Sequence, residues 1–261
     1  MSDLTGGPLT SKSPHFDDAG ARLTGEVRRV ADLSAEEQTQ MYDLLAHYFA
    51  NTTRRQFQQD LAEKEWAILL RETATGNIQG FSTLMRLSLT IAAQPLVVFF
   101  SGDTIIRREF WGETALPRLW GKHVFSLADQ IHNARVYWFL ICSGYKTYRY
   151  LPLFFREFYP SCAQTTPPHI KQLLDELGGA KFGAEYDAEH GVIRFQQAAP
   201  LQAGVAEITP QRLKDPHIAF FVAANPGHLN GDELACLAEL SRANLTSAGA
   251  RFVGPPQSLL Q

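Results

Sequence analysis

Cysteine is scarce in this chain. Three stand in 261 residues, Cys142, Cys162 and Cys236, with no CxxC or metal-ligand spacing among them. That excludes a disulfide framework and a thiolate metal site, and the three read as reduced thiols in small core positions. The eight histidines are equally scattered, with no HxH or HExxH, so no metal is expected. Long apolar runs are missing too. LTIAAQPLVVFF and VYWFLIC are too short to cross a bilayer, so no membrane span is expected. There is no basic excess: 24 Lys and Arg face 27 Asp and Glu, a net charge of -3, which argues against nucleic acid as a partner. Residues 1–20 carry no apolar signal-peptide core and read as a flexible tail, so a cytoplasmic protein is expected. No repeat or low-complexity tract is visible. GxSxG, the P-loop and GxGxxG are absent, which removes the commonest hydrolase, kinase and dehydrogenase readings.

What is present is a core-forming composition, 45% apolar and 20% charged. ARLTGEVRRVADL alternates as a strand around Leu23, Val27 and Val30. Ser34 stands three residues before Glu37, a capping box that opens a helix to about Phe49. A second helix is expected from about Thr53 to Glu63. Trp66–Arg71 and Ile78–Leu89 flank the turn Thr75-Gly76-Asn77 and read as a hairpin. QPLVVFFSGDTII is the next strand, with Gly102 as a bulge or a point of close approach. A loop then leads to a helix with Pro117 in its first turn. RVYWFLIC is a buried strand, and a helix is expected from about Thr147 to Phe155. TTPPHIKQLLDELGG reads as a helix and KFGAEYDAEHGVIRF as a hairpin turning at Ala188–His190. DPHIAFFVAANPGHLNGDELACLAELSRANL reads as a strand, a Pro-Gly loop and a helix. Helices interleaved with strands and one hairpin predict a mixed α/β sheet covered by helices.

This order resembles the GNAT superfamily of N-acyltransferases. EWAILLRETATGNIQGFSTL looks like the family's central hairpin. LVVFFSGDTIIRREFWGETAL looks like its fourth strand, pyrophosphate loop and following helix. RVYWFLICSGYKTYRYLPLFFREFYP looks like its fifth strand and the helix after it. The resemblance implies a core over residues 21–162, mostly antiparallel, with its fourth and fifth strands splayed, and an extra αβ segment over residues 163–261 packed on it. It also implies a pantetheine arm threaded between those strands, with the donor's phosphates on backbone N–H groups at a helix start. Two places depart from the family pattern. Gly112-Glu113-Thr114-Ala115 keeps the loop glycine, but Arg108 stands one place too far from it and Glu113 repels phosphate. The place of the family's acidic Tyr falls near Leu153 or Phe154.

The candidate residues flank the implied gap. Asp103 is a lone carboxylate after apolar residues and a Ser-Gly. It is either a general base for an attacking amine or an ordinary turn carboxylate paired with Arg107 or Arg108. Arg107, Arg108, Lys146 and Arg149 are candidate phosphate contacts, or else a solvated basic rim. Tyr145 and Tyr148, with Tyr150 beside them, are candidates to protonate a leaving thiolate, or else amphipathic packing. Ser101, Thr104, Trp111, Gly112, Ser143 and Gly144 complete the expected donor-binding set, Ser143-Gly144 as a small strand exit. Aromatic residues crowd the region and suit a fatty or aryl acyl chain.

The expected function is transfer of an acyl group from acyl-CoA or an acyl carrier protein to an amine, on a small molecule or peptide. A role in peptide lipidation or natural-product synthesis fits that reading. The alternatives are a non-catalytic GNAT-like module and an unrelated α/β protein binding an apolar ligand.

Overall fold

The computed structural model describes residues 15–16, 21–91 and 94–256. In chain order its strands are β1 (His15–Phe16), β2 (Leu23–Arg29), β3 (Trp66–Glu72), β4 (Ile78–Ile91), β5 (Gln94–Ile106), β6 (Arg135–Cys142), β7 (Tyr186–Asp187), β8 (Val192–Ile193) and β9 (Glu233–Glu239). The helices are α1 (Ala35–Tyr48), α2 (Arg54–Ala62), α3 (Ala115–Ala128), α4 (Tyr145–Tyr148), α5 (Tyr150–Phe154), α6 (Pro168–Phe182), α7 (Pro216–Ala224) and α8 (Ser247–Val253). One nine-stranded sheet takes the order β1-β2-β3-β4-β5-β6-β9-β8-β7. Its pairs are antiparallel except β5–β6, which is parallel and is connected through α3.

Local chemistry sets the first elements. The Ser34 N–H donates to Glu37 Oε2 at 2.7 Å and the Glu37 N–H donates to Ser34 Oγ at 3.2 Å, closing the capping box at α1. Thr53 caps α2 by accepting from the Gln56 N–H at 3.2 Å. Gly76, at φ +74°, turns the β3–β4 hairpin.

The two faces of the sheet are covered differently. On one face α3, α5, α7 and α8 make a continuous core with Phe99, Trp120, Phe125, Trp138, Phe154 and Phe155. The other face carries two separate patches. One, under α1 and α2, joins Met41, Leu44, Phe57, Phe81 and Ile105. The other, under α6, joins Val98, Phe100, Phe139, Leu173, Leu177 and Leu237. A seam separates them along β5, bridged by an ion pair between Lys181 of α6 and Glu63 just past α2.

Three expectations meet the structure differently. The tail over residues 1–20 lies outside the described residues, apart from His15–Phe16, which pair with Gly25 and Glu26. The single helix expected over 147–155 is two short ones, α4 and α5, with Pro152 in the first turn of α5, where a missing N–H costs nothing. The last strand and helix come in the opposite order. Asp215 accepts from the His217 N–H at 2.9 Å and Pro216 opens α7, so the apolar IAFFVA run is helical. Glu233–Glu239 is a strand because β6 and β8 flank it and both its faces are buried, which overrides the helix propensity of its Leu and Ala.

Candidate active site

The parallel pair comes apart partway along its length. β5 and β6 pair from Leu96–Arg135 to Ser101–Leu140. Past that point β5 follows β4 to Ile106, and β6 follows β9 to Cys142. The divergence has a local cause. Leu84 pairs with Ser101 and Ser82 with Thr104, so Gly102 and Asp103 together face Thr83 alone. This β-bulge bends β5 away from β6.

A cleft of about 430 Å³, part of it open to solvent, lies on the α3 side of the divergence. Leu116, Pro117 and Trp120 of α3 line it, with Trp138, Leu140 and Ile141 of β6 and Thr147, Tyr150 and Phe154 from α4–α5. The β5 wall contributes Ser101, Gly102 and Thr104. Ser101 Oγ accepts from two indoles, Trp138 Nε1–H at 2.8 Å and Trp120 Nε1–H at 3.2 Å. Thr104 Oγ1 shares a hydrogen bond with Ser82 Oγ at 2.8 Å. The polar atoms of this wall are thus tied up internally, and the remaining lining is mostly apolar.

On the opposite side the seam holds charge. The bulge turns the position of a Gly102 side chain toward Lys64, and Asp103 is in electrostatic contact with that lysine. Burial pushes the Asp103 carboxyl up to about 6, with Lys64 opposing and Asp60 adding to the rise. Glu233, first residue of β9, stands across the gap. Burial raises its carboxyl to about 8, a side-chain hydrogen bond from Ser143 opposes the rise, and the charge of Asp103 adds to it. Burial, and next to it Lys181, lower the Lys64 ammonium, against the carboxylates of Asp103, Glu63 and Asp60.

A parallel β5–β6 pair that splays over a helix start is now in view. That is the arrangement the resemblance to the GNAT superfamily implied. No family model matches the sequence, and no curated protein matches it. Among solved structures it is similar to a probable N-acyltransferase from Enterococcus faecalis, at 13% identity and TM-score 0.39 over 51% of this chain and 33% of that one. It is similar to a GNAT family N-acetyltransferase from Escherichia coli in complex with CoA, at 13% identity and TM-score 0.36 over 49% of this chain and 67% of that one. It is also similar to Saccharomyces cerevisiae N-myristoyltransferase with bound myristoyl-CoA, at 11% identity and TM-score 0.37 over 55% of this chain and 35% of that one. The chain spans about a third of the length of the first of these.

Cations gather where the strands end. Lys146 Nζ lies 3.1 Å from the centroid of the Trp111 ring and donates to the Val205 carbonyl at 2.7 Å. Arg108 donates to the Gly204 carbonyl at 2.8 Å and lies over the same indole. Arg212 donates to the Glu207 carbonyl and lies over the Tyr145 ring. Burial, then the charges of Arg212 and Arg108, bring the Lys146 ammonium down to about 8. Helix α3 begins nearby at Thr114–Ala115 with no side-chain cap, so its first-turn N–H groups lack internal partners. Gly112, at φ +96°, makes the turn before it. Glu113 lies 4.0 Å from Arg22.

The other expected residues are spread out. Ser143 reaches Glu233, and a side chain on buried Gly144 would meet Leu201 at 2.9 Å. The Arg107 N–H donates to the Gln79 carbonyl, and its Nε is buried without a partner. Arg149 points outward and pairs with Asp215 at 3.4 Å. Tyr145 is buried below Arg212. Tyr148 is fully buried against Phe158, Phe220 and Phe221, and its hydroxyl donates to the Pro160 carbonyl at 2.9 Å. Burial raises it strongly. The tyrosine of this segment that lines the cavity is Tyr150, whose hydroxyl burial also raises.

Glu233, Lys64, Arg212 and the placement of Tyr150 escaped sequence reasoning. Glu233 carried one usable signal, a carboxylate heading an apolar run. Lys64, within EKEW, carried none. Among the described residues no cluster of His, Cys, Asp or Glu could hold a metal, and no helix is long and apolar enough to cross a membrane.

Proposed function

We propose that the chain is an N-acyltransferase that moves an acyl group from a pantetheine thioester to an amine. The observation that carries this reading is the gap itself, with a mostly apolar cavity on one side and a half-buried carboxylate of raised affinity for protons on the other. A thioester carbonyl lodged at the gap meets the acyl-binding cavity from the α3 side and an attacking amine from the seam. The amine nitrogen bonds to the carbonyl carbon, the carbon–sulfur bond breaks, and Asp103 takes the proton the nitrogen sheds. A carboxyl that titrates near 6 is well matched to that work near neutral pH. Tyr150, on the cavity wall, is the proposed proton donor to the leaving thiolate, in place of Tyr145 and Tyr148.

Lys146, Arg108 and Arg212 suit a phosphate, since three cations gather at one strand end, where burial and the two guanidinium charges lower the Lys146 ammonium's hold on its proton. The start of α3 adds N–H groups, although Pro117 removes one donor from its first turn. Acyl-CoA is the donor this set supports best. A carrier-borne phosphopantetheine would use the same cations. Indole and phenylalanine walls favour an apolar acyl chain, at roughly 0.8 kcal/mol per buried methylene. An acceptor in peptide lipidation or natural-product synthesis, in the cytoplasm, is consistent with these features.

The test is intact-mass detection of amide products from acetyl-, octanoyl- and palmitoyl-CoA and their carrier-protein counterparts, with a panel of amines. Amide formation with thiol release is expected. If no donor is consumed and none raises the Tm, the enzyme reading fails. If a donor raises the Tm without turnover, the chain is a non-catalytic module.

A further inference from the structure

We infer that Lys64 is itself an acyl acceptor, a side chain that this protein modifies on its own chain. The inference rests on the N-acyltransferase reading, and it names the first amine that such a site would meet.

The geometry is that of an amine already stationed on the acceptor side of the gap. Lys64 lies between α2 and β3 with its side chain 6% exposed. Its Cε is 2.8 Å, and its Nζ 3.7 Å, from where a Cβ on Gly102 would sit. The backbone of the same Gly102 lines the cavity from the opposite face. One strand's thickness therefore separates the amine from the proposed thioester pocket. It does so at the bulge, one residue past Ser101, where β5 and β6 stop pairing. No other residue type at 102 would let the lysine pack so close.

The groups facing Lys64 suit the chemistry. Nζ donates to the Asp60 carbonyl at 2.8 Å and lies 3.8 Å from Glu63 Oε2. Asp103, Asp60 and Glu63 favour its charged form, while burial and Lys181 favour the neutral amine, and the net effect is toward neutral. In the step itself the neutral Nζ attacks the thioester carbonyl carbon. A carbon–nitrogen bond forms and the carbon–sulfur bond breaks. The pantetheine thiolate leaves, and the nitrogen's surplus proton passes to the Asp103 carboxylate. The products are an Nε-acyl-lysine and a free thiol, with no oxidant or metal involved. Acylation removes the Lys64 charge from beside Asp103, so it would also alter the site it came from.

The experiment incubates the full chain with acetyl-CoA or octanoyl-CoA and no added amine, then maps acylated peptides by mass spectrometry. One acyl group at Lys64 is expected, faster by roughly 100-fold than at the exposed Lys122 and Lys214 because the amine is held beside the thioester. Asp103→Asn should slow that labelling about 100-fold while leaving Lys122 and Lys214 unchanged. Lys64→Arg should abolish the site. Should that variant not fold, the Asp103→Asn comparison on an intact Lys64 still decides. Labelling of Lys64 no faster than of the exposed lysines overturns the inference. So does thiol release with transfer to an added amine while Lys64 stays unmodified, an outcome that leaves the N-acyltransferase reading standing. Absence of thiol release from either donor, with no rise in Tm, overturns both.

Discussion

On the α3 side of the β5–β6 gap the walls are Trp120, Trp138 and Phe154, and the polar atoms among them are bound to one another. On the seam side, a strand's thickness away, stand Asp103, Glu233 and Lys64, each with its protonation displaced by burial. Both sides draw on the same few residues of β5. Ser101, Thr104 and the Gly102 backbone serve the cavity, while the bulge turns the side-chain position of Gly102 toward Lys64, the lysine that Asp103 also faces. The contrast teaches that one irregular pair of residues divides an apolar binding function from a proton-handling one. A regular strand would have alternated them.

The sharpest way to break the contrast is to remove the proton acceptor. Asp103→Asn should lower kcat for amide formation between about 100-fold and 10,000-fold, with Tm unchanged or raised, since a poorly solvated carboxylate is lost. Unchanged turnover would separate Asp103 from the chemistry while leaving the fold intact. On the cavity side Ser101→Ala strands two buried indole N–H groups. A loss of about 2–4 kcal/mol is expected, read as a lower urea midpoint.

How far these residues were visible in the sequence differs along the chain. The capping box, the β3–β4 hairpin and the Gly102 irregularity rest on signals a few residues long, and each is where its local chemistry required. Asp103 stood out because a carboxylate after four apolar residues is unusual. Lys64 and Glu233 did not, because only the β3–β4–β5 pairing and the β6–β9 pairing carry them to the gap. Tyr148 and Tyr150 could not be ranked from spacing. Two residues apart, one donates to Pro160 inside the core and the other faces the cavity. The α7 and β9 reversal has the same origin, since a period-less apolar run takes its state from its neighbours.

A third, smaller effect concerns pH. Asp103 and Glu233 both hold protons more tightly in the fold than when unfolded. Their protonated forms contribute stability that is complete below the ordinary carboxylate range. It is lost as pH rises through about 6 for Asp103 and about 8 for Glu233. Tm should therefore fall from about pH 4 to about pH 8. Glu233→Gln should flatten the upper part of that fall and Asp103→Asn the lower part. A Tm that rises over this range would contradict the poorly solvated placement of both groups. The smallest effect is on the donor side. Glu113→Gln should tighten CoA by a few-fold at low salt, because it removes a negative charge beside the α3 start, with a stability change of about 0.5 kcal/mol or less.

The pairing of β6 with β9 has a consequence for how the molecule comes into being. Cys142 and Leu234 are neighbours in the sheet but lie some ninety residues apart along the chain, a span that favours slow folding. During synthesis β6 emerges with its Trp, Tyr and Phe and waits, one edge open, until Glu233–Glu239 has left the ribosome. Through that interval the protein has half a gap and a sticky edge, so its window of exposure to misassembly is set by the rate of translation.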